Sequence, residues 1–172
     1  MAMNKNRCRI GWSSALGLAL ALVAVDGFAA TGTALVRADV LTTTSVSASV
    51  ALNFGELTAG PDAATVVLGP DGSRTSTGGA NINSASISSP ATFHLVGTPN
   101  ANFTVSLPLA VTLTDRNGNT MVVNQFLSQP SGASVLDATG ERVLAIGGTL
   151  NVAPNQVFGS YSGMMDVTIT YY

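Results

Sequence analysis

The sequence predicts an all-β domain, built as a sandwich or a small barrel. Val, Ile and Thr are abundant after the amino-terminal segment, and these side chains suit a pleated strand better than a helix. No stretch repeats apolar residues at the helical period of 3.6, whereas several runs alternate apolar and polar residues. Turn-forming pairs such as Pro99-Asn100 and Pro154-Asn155 separate these runs at short spacing, as is typical of sandwiches and barrels.

The alternating runs place the strands. They lie around Val46 to Leu52, Phe103 to Leu107, Leu144 to Val152, and at the carboxyl end. One face of each strand is therefore expected to be apolar.

Of two stretches between these runs, the first predicts a definite structure and the second leaves two alternatives. Asn117-Gly118 is the strongest hairpin signal, and it predicts that residues 111–114 pair with residues 121–126. Residues 73–89, rich in Ser, Thr and Gly, fit either a long loop or a twisted edge strand.

Charge is scarce in this chain. Of 172 residues, only 9% are charged, with 7 basic and 9 acidic side chains, whereas an ordinary soluble domain carries about 25%. A slightly acidic chain has no basic patch for nucleic acid or an anionic membrane. Nucleic-acid-binding functions are therefore disfavoured.

The amino terminus has the features of a secretory signal peptide. Lys5 and Arg9 precede an apolar run from Ala15 to Val25, and Gly27-Phe28-Ala29 supplies small residues for cleavage. The run is 11 residues long, and spanning a bilayer takes about 20, so stable membrane insertion is not expected. Cys8, the single Cys, precedes the run and is removed with the signal, which leaves an exported chain without disulfides.

The segment that follows the signal, residues 30–43, reads as an extended arm. Ala34, Val36, Ala38 and Val40 alternate with Leu35, Arg37, Asp39 and Leu41. As an extended β arm it could pair with an exposed sheet edge on another copy; alternatively, it is a plain disordered tail. The domain plan is thus a signal peptide (1–29), an extension (30–43) and a β-domain (44–172).

The carboxyl-terminal segment, Ser160 to Tyr172, predicts one long strand. Its apolar positions face one way, and thirteen residues exceed the usual strand of about 5–6. It is expected to border a groove, because no later segment covers its outer edge; the alternative is a closing strand, bent at Gly163, in a complete sandwich. The residues expected to face that groove are Tyr161, Met165, Val167, Ile169 and Tyr171.

The sequence contains only partial matches to catalytic and metal-binding motifs. His94, the single His, alternates outward on a strand, which favours a surface role over a catalytic triad. In Gly159 to Gly163 the central residue is Tyr, so no serine occupies the place of a nucleophile. Asp115, Asn117 and Asn119 match three calcium-loop ligands, but Thr120 and Phe126 replace the required Gly and Glu, which favours a hairpin turn. No enzyme, metal or cofactor is predicted.

Several short pieces occur in a characteristic order along the chain: Leu52-Asn53-Phe54-Gly55, then Gly60; Pro70-Asp71-Gly72-Ser73-Arg74 and Gly78-Gly79; Phe93 to Gly97; Phe103 to Pro108; Met121-Val122-Val123; Gly147-Gly148-Thr149-Leu150; and Gly159, Tyr161, Gly163, Val167 and Tyr171.

Together these pieces, spread over residues 45–172, resemble a bacterial secreted family known as domain of unknown function 4402. That family is in turn similar to spore-coat-protein-U-like domains and to pilins of archaic chaperone-usher systems. The resemblance implies an immunoglobulin-like sandwich, incomplete in the manner of a pilin, that passes through the periplasm to the cell surface.

The function implied by the resemblance is that of a structural subunit of a surface fibre. Its partners would be further copies or related subunits, a periplasmic chaperone and an outer-membrane usher. In such assembly an arm fills a neighbour's groove, and here the donor candidates are Ala34, Val36, Ala38 and Val40. The alternative is a monomeric secreted or cell-surface module that binds ligands through loops such as 71–79 or 128–132.

Overall fold

The computed structural model describes residues 44–172, and these residues confirm the prediction of an all-β fold. The predicted signal peptide and all four donor candidates, Ala34, Val36, Ala38 and Val40, lie outside the described residues. Within residues 44–172 every regular element is a strand, and no helix there could cross a lipid bilayer.

Twelve strands follow one another along the described residues: β1 (Ser45–Val50), β2 (Leu57–Thr58), β3 (Ala64–Leu68), β4 (Arg74–Gly78), β5 (Asn81–Ile82), β6 (Ala91–Val96), β7 (Asn102–Ser106), β8 (Ala110–Thr114), β9 (Thr120–Gln129), β10 (Ala133–Val135), β11 (Glu141–Val152) and β12 (Thr168–Tyr171).

The largest sheet is organised around β11. Residues 145–146 pair with both β6 and β9, and residues 149–151 pair with both β3 and β9. Because a strand has only two hydrogen-bonding edges, β6 and β3 follow one another along the edge opposite β9. Strand β1 extends the sheet beyond β6, β4 extends it beyond β3, and β8 lies beyond β9.

A bulge between β11 and β9 directs one aromatic side chain inward. Gly147 pairs with Leu127 and Thr149 with Asn124, so β9 has one extra residue there. Gln125 adopts a positive φ of 48° at this point. The adjoining Phe126 packs against both clusters of the core, so the bulge links the two halves of the interior.

The interior consists of two apolar clusters, and Leu52 and Phe126 contact both of them. The buried residues of the first cluster are Phe54, Ala64, Val66, Leu68, Ala80, Met121, Val123, Leu150 and Val152. The buried residues of the second cluster are Ala91, Leu95, Phe103, Leu136, Leu144 and Ile146.

Two layers enclose the second cluster, which identifies the fold as a β-sandwich. Strands β6 and β11 of the large sheet supply Leu95, Leu144 and Ile146. The opposite layer is a three-stranded sheet in the order β10-β7-β12, from which Phe103 is fully buried and Ile169 is half-buried. The side chains of the two layers pack between them, as in other sandwiches.

The structure confirms the predicted hairpin and shows an edge strand within residues 73–89. Strands β8 and β9 form the predicted hairpin, with Thr114 opposite Thr120 and Gly118 at a φ of 86° in the turn. The stretch 73–89 holds β4, which pairs only with β3 and is therefore an edge strand, followed by β5 and loops.

The prediction of one uninterrupted strand from Ser160 to Tyr172 is wrong. The regular strand in this stretch is β12, which pairs with β7. Earlier, Ser162 forms an isolated bridge with Thr114 at the end of β8, and residues 163–167 have no strand pairing. The final segment thus runs antiparallel first to β8 and then to β7.

The reason for this break lies in the neighbouring chain between β7 and β8. Ser106 pairs with Thr168, and Thr114 forms a bridge with Ser162. Between these two contacts the neighbouring chain advances by eight residues, whereas the final segment advances by six. Two residues of the neighbour therefore loop out of register. This connection contains Pro108, which has no N–H to donate to a ladder, so pairing ends there.

Candidate strand-acceptor edge

The final segment lies at the margin of the three-stranded sheet. Strand β12 pairs with β7 on one side, and within residues 44–172 no strand pairs with its other side. An edge strand presents a row of backbone N–H and C=O groups that can pair with another chain. The β12 margin is therefore open to strand addition.

The apolar side chains of the final segment point toward the interior without being fully buried. Met165, Val167, Ile169 and Tyr171 all pack against the second cluster and are half-buried. Tyr161 differs from these four, because it packs against the first cluster. The structure therefore divides the five residues predicted to line a groove into a group of four and one separate residue.

Tyr161 has a local structural role. Its hydroxyl donates a hydrogen bond to the carbonyl of Val157 at 2.7 Å and accepts one from Nε2 of Gln156 at 2.9 Å. These bonds hold the loop that enters the final segment. Nearby Gly163 lies against Thr112, where a Cβ would come within 2.5 Å of the carbonyl oxygen.

Strand β1 has an apolar side that the sandwich leaves uncovered. Val46 pairs with Leu95, and directly paired residues project from the same face of a sheet. Leu95 is fully buried, yet Val46 is 43% exposed, and Ala48, paired with Phe93, is exposed too. No signal in the sequence distinguished Val46 from a covered core residue.

The open margin and the uncovered strand approach each other at Gly97. A Cβ on Gly97 would lie 3.5 Å from Cε1 of Tyr171 and 3.7 Å from Oγ1 of Thr44, the residue before β1. The Tyr171 ring of β12 and the residue before β1 thus both lie against Gly97. We call the surface formed by Val46, Ala48, Ile169 and Tyr171 the acceptor surface.

Tyr171 is the aromatic residue of the acceptor surface. Its ring centroid lies 6.1 Å from that of Phe103, with the planes tilted by 46°. Burial raises the pKa of the Tyr171 phenol above its ordinary value, because the ionised form loses hydration. Within the described residues, its buried hydroxyl oxygen has no hydrogen-bond partner.

His94 occupies the outer face of the large sheet. It pairs with Ser47 of β1 and Val143 of β11, and its side chain is 39% exposed. Its Nε2 lies 3.8 Å from Oε2 of Glu141, which is also exposed. These side chains lie on an open face, from which water is not excluded.

Asp115 and Asp137 each organise a turn. Oδ1 of Asp115 accepts the N–H groups of Asn117 and Asn119, and its Oδ2 accepts Nδ2 of Asn119. Oδ1 of Asp137 accepts the N–H of Thr139 at 2.9 Å and that of Glu141 at 2.8 Å. The three polar residues of the 115–119 turn are thus engaged with one another, as hairpin-turn chemistry predicts.

These hydrogen bonds predict acid sensitivity. The Asn119 amide, above all, lowers the pKa of Asp115, and the backbone N–H of Glu141 lowers that of Asp137. With folded values below the unfolded one, both groups stabilise the fold fully at neutral pH. That stability declines as the pH falls below about 4 and is lost once the pH passes the lowered folded values.

We therefore expect Asp115→Asn and Asp137→Asn to lower the melting temperature at neutral pH and to flatten its decline in acid. The measurement is circular-dichroism melting of residues 30–172 at several values between about pH 7 and pH 2. Asp166→Asn, at an exposed position in the final segment, is the control and should follow the parent profile. Parallel pH profiles for all four proteins would contradict the prediction.

A second polar cluster, which the sequence analysis missed, joins two of the short pieces. Arg74 donates from Nη1 to the carbonyl of Phe54 at 2.7 Å and from Nη2 to that of Asn83 at 2.6 Å. Gly55 lies so close to Nη1 that a Cβ would collide with the guanidinium. Arg74 is therefore a structural clamp between β4 and the loops before β2 and after β5. In the sequence, the feature that could have indicated this structural role is an isolated Arg in a strand next to a turn.

Comparison with known protein families gives domain bounds close to those of the described β-domain, residues 44–172. The family described as Domain of unknown function (DUF4402) matches residues 41–171. The chain belongs to this family. Neither a curated protein nor a solved structure matches the chain. The DUF4402 match covers every strand described above, so the acceptor surface and the Arg74 clamp both lie within the family domain.

Proposed function

We propose that this DUF4402 chain is an exported structural subunit of a surface fibre, assembled by donor-strand complementation. The observation that carries the proposal is the acceptor surface. Within residues 44–172, the β12 margin has no strand partner and the apolar side of β1 is not covered by a facing layer, as expected of a sandwich that lacks one strand.

An added strand would supply both a pairing partner for the β12 margin and a cover for the apolar side of β1. Paired with the open margin of β12, it would extend the three-stranded sheet. Its apolar side chains would then cover Val46 and Ala48, which lie on the same side of the large sheet as the buried Leu95. The half-buried Ile169 and Tyr171 would become more deeply buried as well.

The arm of a second copy is the proposed source of that strand. Residues 30–43 alternate, and Ala34, Val36, Ala38 and Val40 form the apolar side proposed to enter the acceptor surface. Each subunit would donate at one place and accept at another. Such a contact is heterologous and does not close on itself, so it produces filaments.

Export and delivery complete the proposal. Residues 1–29 direct secretion, and the mature chain passes through the periplasm to the cell surface. A periplasmic chaperone supplies a temporary strand to the acceptor surface, and an outer-membrane usher exchanges it for the arm of the next subunit. No catalytic step or cofactor is part of this function.

The test is assembly of residues 30–172 with a charged arm. Val36→Asp together with Val40→Asp removes two apolar contacts, each contributing about 1.5–3 kcal/mol. We expect the double variant to lower the association constant about a hundredfold or more. Size-exclusion chromatography with light scattering, and electron microscopy of the large species, measure the outcome.

The sequence offers a matched control on the opposite side of the arm. Leu35→Asp with Leu41→Asp introduces the same charges at positions that alternate away from the acceptor surface. This control should assemble like the parent. Equal assembly by both double variants, or a parent that stays monomeric at all concentrations, would contradict the proposal.

A second candidate function is a monomeric binding module. A surface depression lined by Pro70, Leu127, Pro130, Arg142 and Val143 includes part of the 128–132 loop and the residue that precedes the 71–79 loop. Leu127 and Val143 are more than half exposed there. A monomeric parent that binds glycans, and loses binding on Arg142→Ala, would favour this candidate.

A further inference from the structure

The arm, residues 30–43, joins the described domain beside the acceptor surface. Its last residue precedes Thr44, whose Oγ1 would lie 3.7 Å from a Cβ on Gly97. The ring of Tyr171 lies against the same Gly97, since its Cε1 would be 3.5 Å from that Cβ. The arm is therefore tethered next to the acceptor surface of its own subunit.

The strand pairing fixes the direction in which this arm could fill its own surface. Strand β1 begins at Ser45, which lies opposite Val96, the last residue of β6. Strand β12 ends at Tyr171, which lies opposite Phe103 near the start of β7. Only residues 97–101 separate β6 from β7, so β1 begins and β12 ends at the same end of the sandwich. An arm that lies along β12 and leads into β1 is consequently parallel to β12.

The arm is long enough for this path. Facing sheets lie about 10 Å apart and an extended residue spans about 3.3 Å, so residues 42–44 can cross from one layer to the other. The remaining residues, 30–41, extend over about 40 Å, whereas the stretch from Met165 to Tyr171 covers about 23 Å. One arm can therefore reach the whole margin of β12.

We infer that the acceptor surface of the unassembled subunit is occupied by the subunit's own arm, which pairs parallel to β12. This inference rests on the proposed function and makes assembly an exchange of arms. A tethered segment acts at an effective concentration of about 1 mM, far above that of a dilute subunit, so the subunit's own arm is favoured before assembly.

The direction of the strand explains how a second copy replaces this arm. The subunit's own arm is tied at Thr44 and must run parallel to β12, and parallel pairing is slightly less stable per residue than antiparallel pairing. The arm of a second copy has no such tie and can run antiparallel. Exchange therefore becomes favourable as the subunits are concentrated.

This role predicts that charges in the subunit's own arm improve the binding of a separate arm. The probe is a fluorescent peptide of residues 30–43, added to dilute, monomeric residues 30–172. Val36→Asp with Val40→Asp in the protein should displace the competing arm and raise the affinity for the peptide about a hundredfold. Leu35→Asp with Leu41→Asp, on the opposite side of the arm, is the matched control and should bind the peptide as weakly as the parent.

Fluorescence anisotropy measures the dissociation constants, and a peptide with the two Val→Asp substitutions reports non-specific binding. Equal, specific binding of the peptide by the parent and by the variant carrying Val36→Asp and Val40→Asp overturns this inference but supports the proposed function. Absence of specific binding by both proteins overturns the inference and the proposed function together.

Disulfide formation tests the direction of the arm, since residues 30–172 contain no Cys. Leu41→Cys and Leu35→Cys lie on the same side of the arm, and each is combined with Thr170→Cys at an exposed position of β12. In the parallel arrangement residue 41 lies beside residue 170, whereas residue 35 is about 20 Å further along, beyond the reach of a disulfide.

The two Cys variants are oxidised in dilute solution and separated on non-reducing gels, which distinguish disulfides within one copy from those between copies. The variant with Leu41→Cys should form the disulfide within one copy, and the variant with Leu35→Cys should not. Absence of that disulfide within one copy of the Leu41→Cys variant, or its formation to an equal extent in both variants, overturns the inference.

Discussion

Phe103→Ala is expected to destabilise the domain by about 3–5 kcal/mol, since truncating a buried Phe removes apolar burial and leaves a cavity. Phe103 is fully buried in the second cluster. It also lies on β7, opposite Tyr171 of β12 and Ser134 of β10, so it is central to the three-stranded sheet. Loss of its ring removes support from the acceptor surface as well as from the core.

Urea unfolding of residues 30–172, followed by circular dichroism, measures this effect. Phe158→Ala is the matched control, because Phe158 is 95% exposed and its truncation should change stability by about 0.5 kcal/mol or less. Should Phe103→Ala fail to fold, Phe103→Leu keeps most of the volume and should still lose about 1 kcal/mol. Equal stability of the Phe103 and Phe158 variants would contradict the described packing.

Gly147→Ala is expected to be strongly destabilising, although it adds only one methyl group. Gly147 is buried in β11 at the point where the strand passes from pairing with β6 to pairing with β3. An added Cβ would collide with the carbonyl oxygen of Leu68 and would lie 2.7 Å from the carbonyl carbon of Gly69. Because these are backbone atoms of an adjoining strand and turn, they cannot rotate away, and we expect a loss of about 3 kcal/mol.

The same urea assay tests this prediction, with Gly132→Ala as the control. Gly132 has a positive φ of 66° and open space around its Cα, so an added methyl group meets only backbone strain of about 1 kcal/mol. Gly147→Ala should therefore be clearly less stable than Gly132→Ala. The reverse order would contradict the close approach of β11 to the chain at Leu68 and Gly69.

Features set by neighbours in the chain could be predicted from the sequence. The hairpin at Asn117-Gly118 formed where expected, because the turn residues and the flanking alternation act over a few positions. Similarly, the alternating Leu144 and Ile146 identified the buried face of β11. The all-β class followed from many such local preferences that agree with one another.

The final segment shows where local reasoning failed. Its alternation correctly separated half-buried from exposed side chains from Met165 to Tyr171. It could not give the length of the strand, because pairing is interrupted by Pro108 on the adjoining chain, more than fifty residues earlier in the sequence. Strand length depends on both partners, and alternation describes only one.

The candidate site was predictable to a similar degree. Alternation selected Ile169 and Tyr171, both of which belong to the acceptor surface. It assigned Val46 to a strand, yet gave no sign that this side chain would remain uncovered beside the buried Leu95. The Arg74 clamp was equally hidden, because its acceptors are backbone carbonyls at Phe54 and Asn83, which any residue could supply.

By itself, the sequence determined the strand-forming character of the domain, its turns and the apolar side of most strands, because these follow from backbone preferences and spacing within a few residues. Only the tertiary structure decided which strand margins stay open and which apolar sides stay uncovered. Those properties depend on the number and order of strands in each layer, as β1 and β12 show at Gly97. Exposure of an apolar side chain results from the absence of a facing layer, which no residue in its own strand specifies.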